Sequence, residues 1–137
     1  MIVNFISKEQ WKNISPYFHG MIFSNKEFSE IENIDFACSL VDGESTLGYC
    51  TFRILDKTHV YMQYGGAIDK GLFINLKAYT TLIEALKKEY LYITTLIKND
   101  NFTMLKMAMK AGFKIVGIRI IKNEIYLEHS IEVNHGL

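Results

Sequence analysis

The chain has 137 residues, enough for one domain with an ordinary core, and 49% hydrophobic against 22% charged residues is the balance of an ordered globular protein. Fifteen basic and fifteen acidic side chains cancel, which argues against a protein built to coat nucleic acid or anionic lipid. The same neutrality makes self-association easier, so a homodimer is compatible with it. No apolar run approaches the roughly 20 residues that span a bilayer. The start MIVNFISKEQ lacks the basic end and apolar core of a signal peptide, and two cysteines without metal spacing fit a reducing cytoplasm. With a single proline, Pro16, and no Ser/Gly/Pro tract, residues 1–137 are expected to form one domain.

In chain order, Ile2 to Ile6 reads as a first strand. Ser7 and Gln10 form a capping box that opens a helix from Lys8 to about Phe18, with Trp11, Ile14 and Phe18 at helical spacing. Ser24 and Glu27 form a second such box, before a helix carrying Phe28, Ile31 and Ile34. The period then falls to two, and three strands make a meander from Phe36 to Tyr64, turning at Asp42-Gly43 and Asp56-Lys57. Cys38 and Cys50 face each other if the first connection is a five-residue loop centred on Glu44; in a tighter turn they do not.

The stretch from His59 to Leu86 organises the rest. A strand breaks at Gly65-Gly66, a short loop follows, and an amphipathic helix carries Leu76, Tyr79, Leu82, Ile83 and Leu86. A glycine-bearing loop feeding a helix N-terminus is suited to a phosphate, because the first N–H groups are unpaired and the helix dipole is positive there. Leu91 to Ile97 reads as a buried strand. The cluster from Asn99 to Asn101 caps a helix with Phe102, Leu105, Ala108 and Met109, which stops at Gly112. Phe113 to Ile121 and Glu124 to Ile131 close the chain as a hairpin around Lys122-Asn123. The order β-α-α-β-β-β-α-β-α-β-β gives an α/β (α+β) fold: a mixed, mostly antiparallel sheet of about seven strands with helices on both faces. Its parallel pair should leave a crevice at the strands' carboxyl ends.

This order, together with NFTMLKMAMKAGF from Asn101 to Phe113, resembles the GNAT superfamily of N-acetyltransferases. The likeness runs from Ile2 to Ile131; the Asn cap, Lys110 and Gly112-Phe113-x-x-x-Gly117 carry it locally. The family's Q/R-x-x-G-x-G/A loop is worn: Ile68 and Phe73 stand at two of its positions and Gly71 survives. The resemblance implies an acetyl-coenzyme A (acetyl-CoA) site with pyrophosphate on the amides of Asp69, Lys70, Gly71, Leu72 and Phe73. It implies pantetheine against the fourth strand near Tyr61 and Gln63, and a helix cap at Asn101. The implied activity is direct acetyl transfer to a small-molecule or peptide amine, the alternative being a GNAT-like binding or interaction module with impaired catalysis.

Where the family often carries a proton-donating tyrosine, seven residues after the capping Asn, this chain has Ala108. Restoring a tyrosine there should raise the rate if its hydroxyl reaches the thiol without overpacking the helix. For the base, the fourth strand offers His59, with a suitable unperturbed pKa and on one face with Tyr61 and Gln63 by period two. His19, His129 and His135 share no ligand spacing, so no metal is expected; His129 falls on the core face of its strand, and Glu124 and Glu128 on the other. No basic stripe interleaves with aromatics as in nucleic-acid binders.

Overall fold

The computed structural model describes residues 1–22, 33–68 and 72–133. The elements are β1 (Ile2–Ser7), α1 (Lys8–Ile22), β2 (Phe36–Asp42), β3 (Ser45–Asp56) and β4 (His59–Ala67). They are followed by α2 (Leu72–Lys87), β5 (Tyr92–Lys98), α3 (Phe102–Ala111), β6 (Lys114–Ile121) and β7 (Glu124–Glu132). The expected helix after Ser24 lies outside the described residues, apart from the buried Ile34.

All seven strands join one sheet in the order β1-β2-β3-β4-β5-β7-β6, and only β4 and β5 run parallel. On one face, α2 and α3 cover the larger core. The stripe Tyr79, Leu82, Ile83 and Leu86 packs there with Phe52, Val60, Ile93 and Ile131. The spacing of three and four puts these side chains on one side of α2, so burying them fixes its orientation. On the other face, Trp11 of α1 is fully buried with Ile6, Ile34, Ala37 and Tyr49. The Trp11 and Tyr49 rings meet at 5.6 Å in a tilted contact.

The helix ends are built as the sequence implies. Ser7 N–H donates to Gln10 Oε1 (3.0 Å) and Gln10 N–H to Ser7 Oγ (3.2 Å), a reciprocal box that satisfies two free donors of α1. That helix runs past Phe18 to Ile22, because apolar spacing marks only the part that packs. Asn101 Oδ1 accepts from Met104 N–H (3.3 Å), and α3 ends at Gly112 with φ of 101°, a left-handed cap that disfavours a side chain.

Cys38 and Cys50 are directly opposite, although the β2–β3 turn is only the pair Gly43-Glu44. The register shifts after Val41–Thr46, so that Leu40 meets Gly48 and Leu47 is an extra residue. The bulge moves every later pair by one, and a tight turn thereby gives the pairing expected of a longer loop. Both thiols are buried and free; burial pushes Cys38 up to about 12 and Cys50 well above the usual thiol range.

Candidate active-site crevice

A second bulge creates the site. In the β3–β4 ladder Met62 faces Phe52 and Tyr64 faces Thr51, leaving Gln63 as the extra residue. The buried Thr51 hydroxyl holds the kink, accepting from Tyr64 N–H (3.2 Å) and donating to Tyr64 O (3.4 Å). Parallel pairing of β4 with β5 ends at the same level, at Met62–Thr95. There the buried Thr95 hydroxyl donates to the Met62 carbonyl (3.1 Å). Beyond this point β4 stays on β3 as far as Gly48–Ala67, while β5 stays on β7 as far as Lys98–Tyr126. The strands therefore fork, and their inner edges present backbone groups with no ladder partner to a crevice at the carboxyl ends.

Four buried side-chain polar atoms among the described residues have no hydrogen-bond partner: Ser15 Oγ, Gln63 Oε1, Tyr79 Oη and His129 Nε2. Three of them lie on elements that border the fork: Gln63 on the Asn33 side of the sheet, and Tyr79 and His129 on the α2 side, where both rings meet Phe113. Gln63 is the bulged residue itself, its amide nitrogen donating to Asn33 O (3.4 Å). Tyr79 reaches down from α2 beside Cys50, the residue opposite Gly65 in the β4 arm; burial first, and Cys50 second, raise its phenol above the usual range. His129 is fully buried, lies opposite Thr95 and packs edge-on against Phe113 (6.4 Å). Its Nδ1 is 2.9 Å from Leu127 O; a carbonyl can only accept, so Nδ1 carries the proton and Nε2 is the acceptor in the neutral ring. An unsatisfied buried polar group costs about 1–3 kcal/mol, so Tyr79 Oη and His129 Nε2, on the two rings beside Phe113, mark where polar ligand atoms are expected.

The residues singled out from sequence divide between the fork and elsewhere. Tyr61 and Gln63 precede and form the bulge; Tyr61 is half-buried and its phenol is raised mainly by burial. Gln63 keeps the face of Tyr61 despite the bulge, since its amide and the guanidinium of Arg53, which lies opposite Tyr61, both donate to Asn33 O. His59 lies at the amino-terminal end of β4, where Nε2 is 3.0 Å from Thr94 Oγ1 and the ring leans on Tyr92 (5.9 Å). That is three residues before Met62, roughly 10 Å along a strand, and beyond hydrogen-bond reach of an amine in the fork. Asp69, Lys70 and Gly71 lie outside the described residues, and Leu72 and Phe73 open α2. Asn101 serves as the cap of α3.

Ala108 is fully buried in the larger core, so the position where the family carries a tyrosine is apolar and packed here. Sequence reading did not single out Thr51, Thr95 or Tyr79 as site residues. Tyr79 was legible as the one phenol in an otherwise aliphatic stripe. Among the described residues no group of three His, Cys, Asp or Glu side chains could hold a metal ion, and no helix is long and apolar enough to cross a membrane.

No protein-family model matches the sequence, and no curated protein matches it. Solved structures do. An aminoglycoside 6'-acetyltransferase type Ii is matched with a TM-score of 0.74 at 15% identity, over 100% of both chains. The IAA acetyltransferase of Bacillus cereus ATCC 14579 is matched at 0.71 and 14% identity, over 96% of this chain and 98% of that one. An N-acetyltransferase of Staphylococcus aureus Mu50 is matched at 0.70 and 13%, over 97% and 99%. With its strand order, its fork between two parallel strands and these end-to-end matches, the chain has the fold of the GNAT superfamily of N-acetyltransferases.

Proposed function

We propose that the protein is an acetyl-CoA-dependent N-acyltransferase that passes the acyl group directly to a small amine or peptide amine. The observation that carries this reading is the fork between β4 and β5, with its free strand edges and, on the α2 side, the buried, unpartnered Tyr79 Oη and His129 Nε2. A pantetheine arm, with two amides and an apolar stem, suits such a crevice. Its amides can pair with the free edge of Gln63 to Ala67 as a further strand would, and the N-terminus of α2 just beyond favours a pyrophosphate.

In the transfer, the amine nitrogen bonds to the thioester carbonyl carbon, the C–S bond breaks, and the sulfur leaves as a thiol after gaining a proton. The chain's part is to align and to stabilise charge. The bulge at Gln63 frees backbone from the ladder to face the carbonyl oxygen as negative charge develops there. Tyr79, kept protonated by burial, offers a hydroxyl to the departing sulfur in place of the missing one at Ala108. The surplus proton of the amine leaves to solvent and solvent returns one to Tyr79, so the net change is one proton moved from nitrogen to sulfur. Among solved structures of this fold, an aminoglycoside 6'-N-acetyltransferase from Enterococcus faecium supports a small-amine acceptor.

The buried Ala108 favours a second reading, a binding module of the same fold with impaired catalysis. Titration calorimetry with acetyl-CoA, followed by thiol release against a panel of amines, separates the two. Binding with turnover supports the transferase, and tight binding without turnover supports the module. Absence of binding overturns both.

A further inference from the structure

The Gln63 side chain stands at the fork, yet the transfer as described leaves it unused. Its amide nitrogen donates to Asn33 O (3.4 Å); a carbonyl only accepts, so the nitrogen faces Asn33 and Oε1 faces away. Oε1 is buried and has no partner, which leaves its full acceptor capacity for a ligand N–H. It belongs to the bulge at which the fork opens, on the Asn33 side of the sheet, whereas Tyr79 and His129 lie on the α2 side. Groups that serve the sulfur thus come from one face, and the other face is open to the nucleophile.

The same face continues across β5 to β7 and β6. The Tyr61 phenol, raised first by burial, is pushed further by Tyr64, Glu128 and Tyr126 and opposed by Arg119, so these side chains gather around it. Glu128 stands on β7 opposite Leu96 of β5, and its Oε2 lies 3.5 Å from Arg119 Nε of β6. A Cβ added to Gly117 would stand 3.1 Å from that oxygen, so the glycine leaves room for the carboxylate. The ion pair is loose. Its length exceeds that of a charge-assisted hydrogen bond, and among the described residues neither partner has another ion pair or a hydrogen bond. Helix α1 packs elsewhere on this face, on Ala37, Tyr49 and Tyr64.

From Gln63 Oε1 at the fork and the Arg119–Glu128 pair beyond it, we propose that the acceptor is a free amino acid whose side chain ends in a primary amine. This inference rests on the transferase reading and names its substrate class. The reacting amine donates an N–H to Gln63 Oε1 and keeps its lone pair for the thioester carbonyl. The α-ammonium meets Glu128 and the α-carboxylate meets Arg119. Charge selects this class: a ligand with only a cation gains from Glu128 and is repelled by Arg119, and one with only an anion meets the reverse. A head that carries both signs side by side finds both attractions. Length agrees. Strand β7 lies one strand beyond the β5 arm, which sets Glu128 roughly 7 Å from the middle of the fork. The four-carbon stem of lysine spans such a gap, with Tyr61 and Leu96 beside it.

The experiment follows thiol release from acetyl-CoA with acceptors that share one stem: lysine, cadaverine (no carboxylate), aminocaproate (no α-amine) and Nα-acetyl-lysine amide (neither charge). With the wild type, lysine should have a KM roughly tenfold below that of each analogue, the worth of a hydrogen bond to a charged group. Arg119→Gln should abolish the advantage over cadaverine, and Glu128→Gln the advantage over aminocaproate. Neither should move kcat, because neither side chain touches the reacting atoms. Gln63→Met, which removes the acceptor oxygen, should lower kcat with every amine. Equal use of lysine and any analogue by the wild type overturns the proposal, as does a lysine KM that neither charge variant moves. If no acceptor releases thiol, the transferase reading fails on its own account, and calorimetric titration of the full chain with lysine decides the site. Binding weakened roughly tenfold in both charge variants sustains it, and any other result overturns it.

Discussion

Replacing Ala108 with tyrosine sets two effects against each other. A working general acid contributes about 10²–10⁴-fold, which is roughly 3–5 kcal/mol of barrier. Against that stands the packing. Ala108 is fully buried, with Met107, Tyr79 and Phe113 in the same core, and the Phe113 N–H donates to its carbonyl (3.0 Å). A phenol ring there has no space to enter, and overpacking costs about 1–3 kcal/mol. For a chain of 137 residues each kcal/mol moves the melting temperature by roughly 4 °C, so Ala108→Tyr should melt about 4–12 °C lower. The gain in rate requires the hydroxyl to reach the sulfur, and a side chain that displaces the core delivers it elsewhere. The expected result is a lower melting temperature with no gain in thiol release from acetyl-CoA. An unchanged melting temperature with a tenfold or larger gain would refute this reasoning and show that position 108 opens onto the crevice.

Tyr79→Phe removes a buried hydroxyl with no protein partner, so stability should rise by about 1–3 kcal/mol while thiol release falls at least tenfold; lost stability with full turnover would make Tyr79 a core residue only. His59→Ala should leave the low-pH limb of the rate profile in place, since the ring sits at the other end of β4; a displaced limb would restore His59 as the base. Cys38 and Cys50 should resist a thiol reagent at pH 8 until the chain is unfolded, and rapid reaction of either in the native state would contradict their burial. Because folding raises both thiols, the unfolded chain loses these protons first. Stability should therefore be intact below the ordinary thiol range and decline as pH rises from there toward about 12, which alkaline denaturation would measure.

What the sequence made legible was local. The box of Ser7 and Gln10, the cap at Asn101, the stop at Gly112 and the stripe on α2 depend on residues within one turn or two of each other, and each stands as read. What it hid was register. The extra residues Leu47, Leu55, Gln63 and Val116 become visible only when two strands are aligned over their whole length. One of them decides whether Cys38 meets Cys50, and another opens the fork. Exposure at the sheet's end was hidden for a related reason. Lys114 to Ile121 has the composition of a core strand, and only its place in the strand order leaves it bare.

The fork also explains why this fold tolerates polar atoms that it does not satisfy. Two unpartnered groups on its α2 side, Tyr79 Oη and His129 Nε2, at about 1–3 kcal/mol each, are a large penalty against a stability of roughly 5–15 kcal/mol for a small domain. Apolar replacements of similar shape, such as phenylalanine for Tyr79, would remove the penalty without disturbing the core. A ligand that meets these groups binds the folded chain alone, and at a hundred times its dissociation constant it contributes about 2.7 kcal/mol of stability. The same groups gain interactions in the bound state that they lack in the free one, and that difference is available for alignment at the reacting bond. The bulge at Gln63, the Thr95 hydroxyl on the Met62 carbonyl and the phenol above Cys50 are thus one arrangement: strands held apart at a fixed point, with the cost of keeping them apart offset when a chain with amides lies between them.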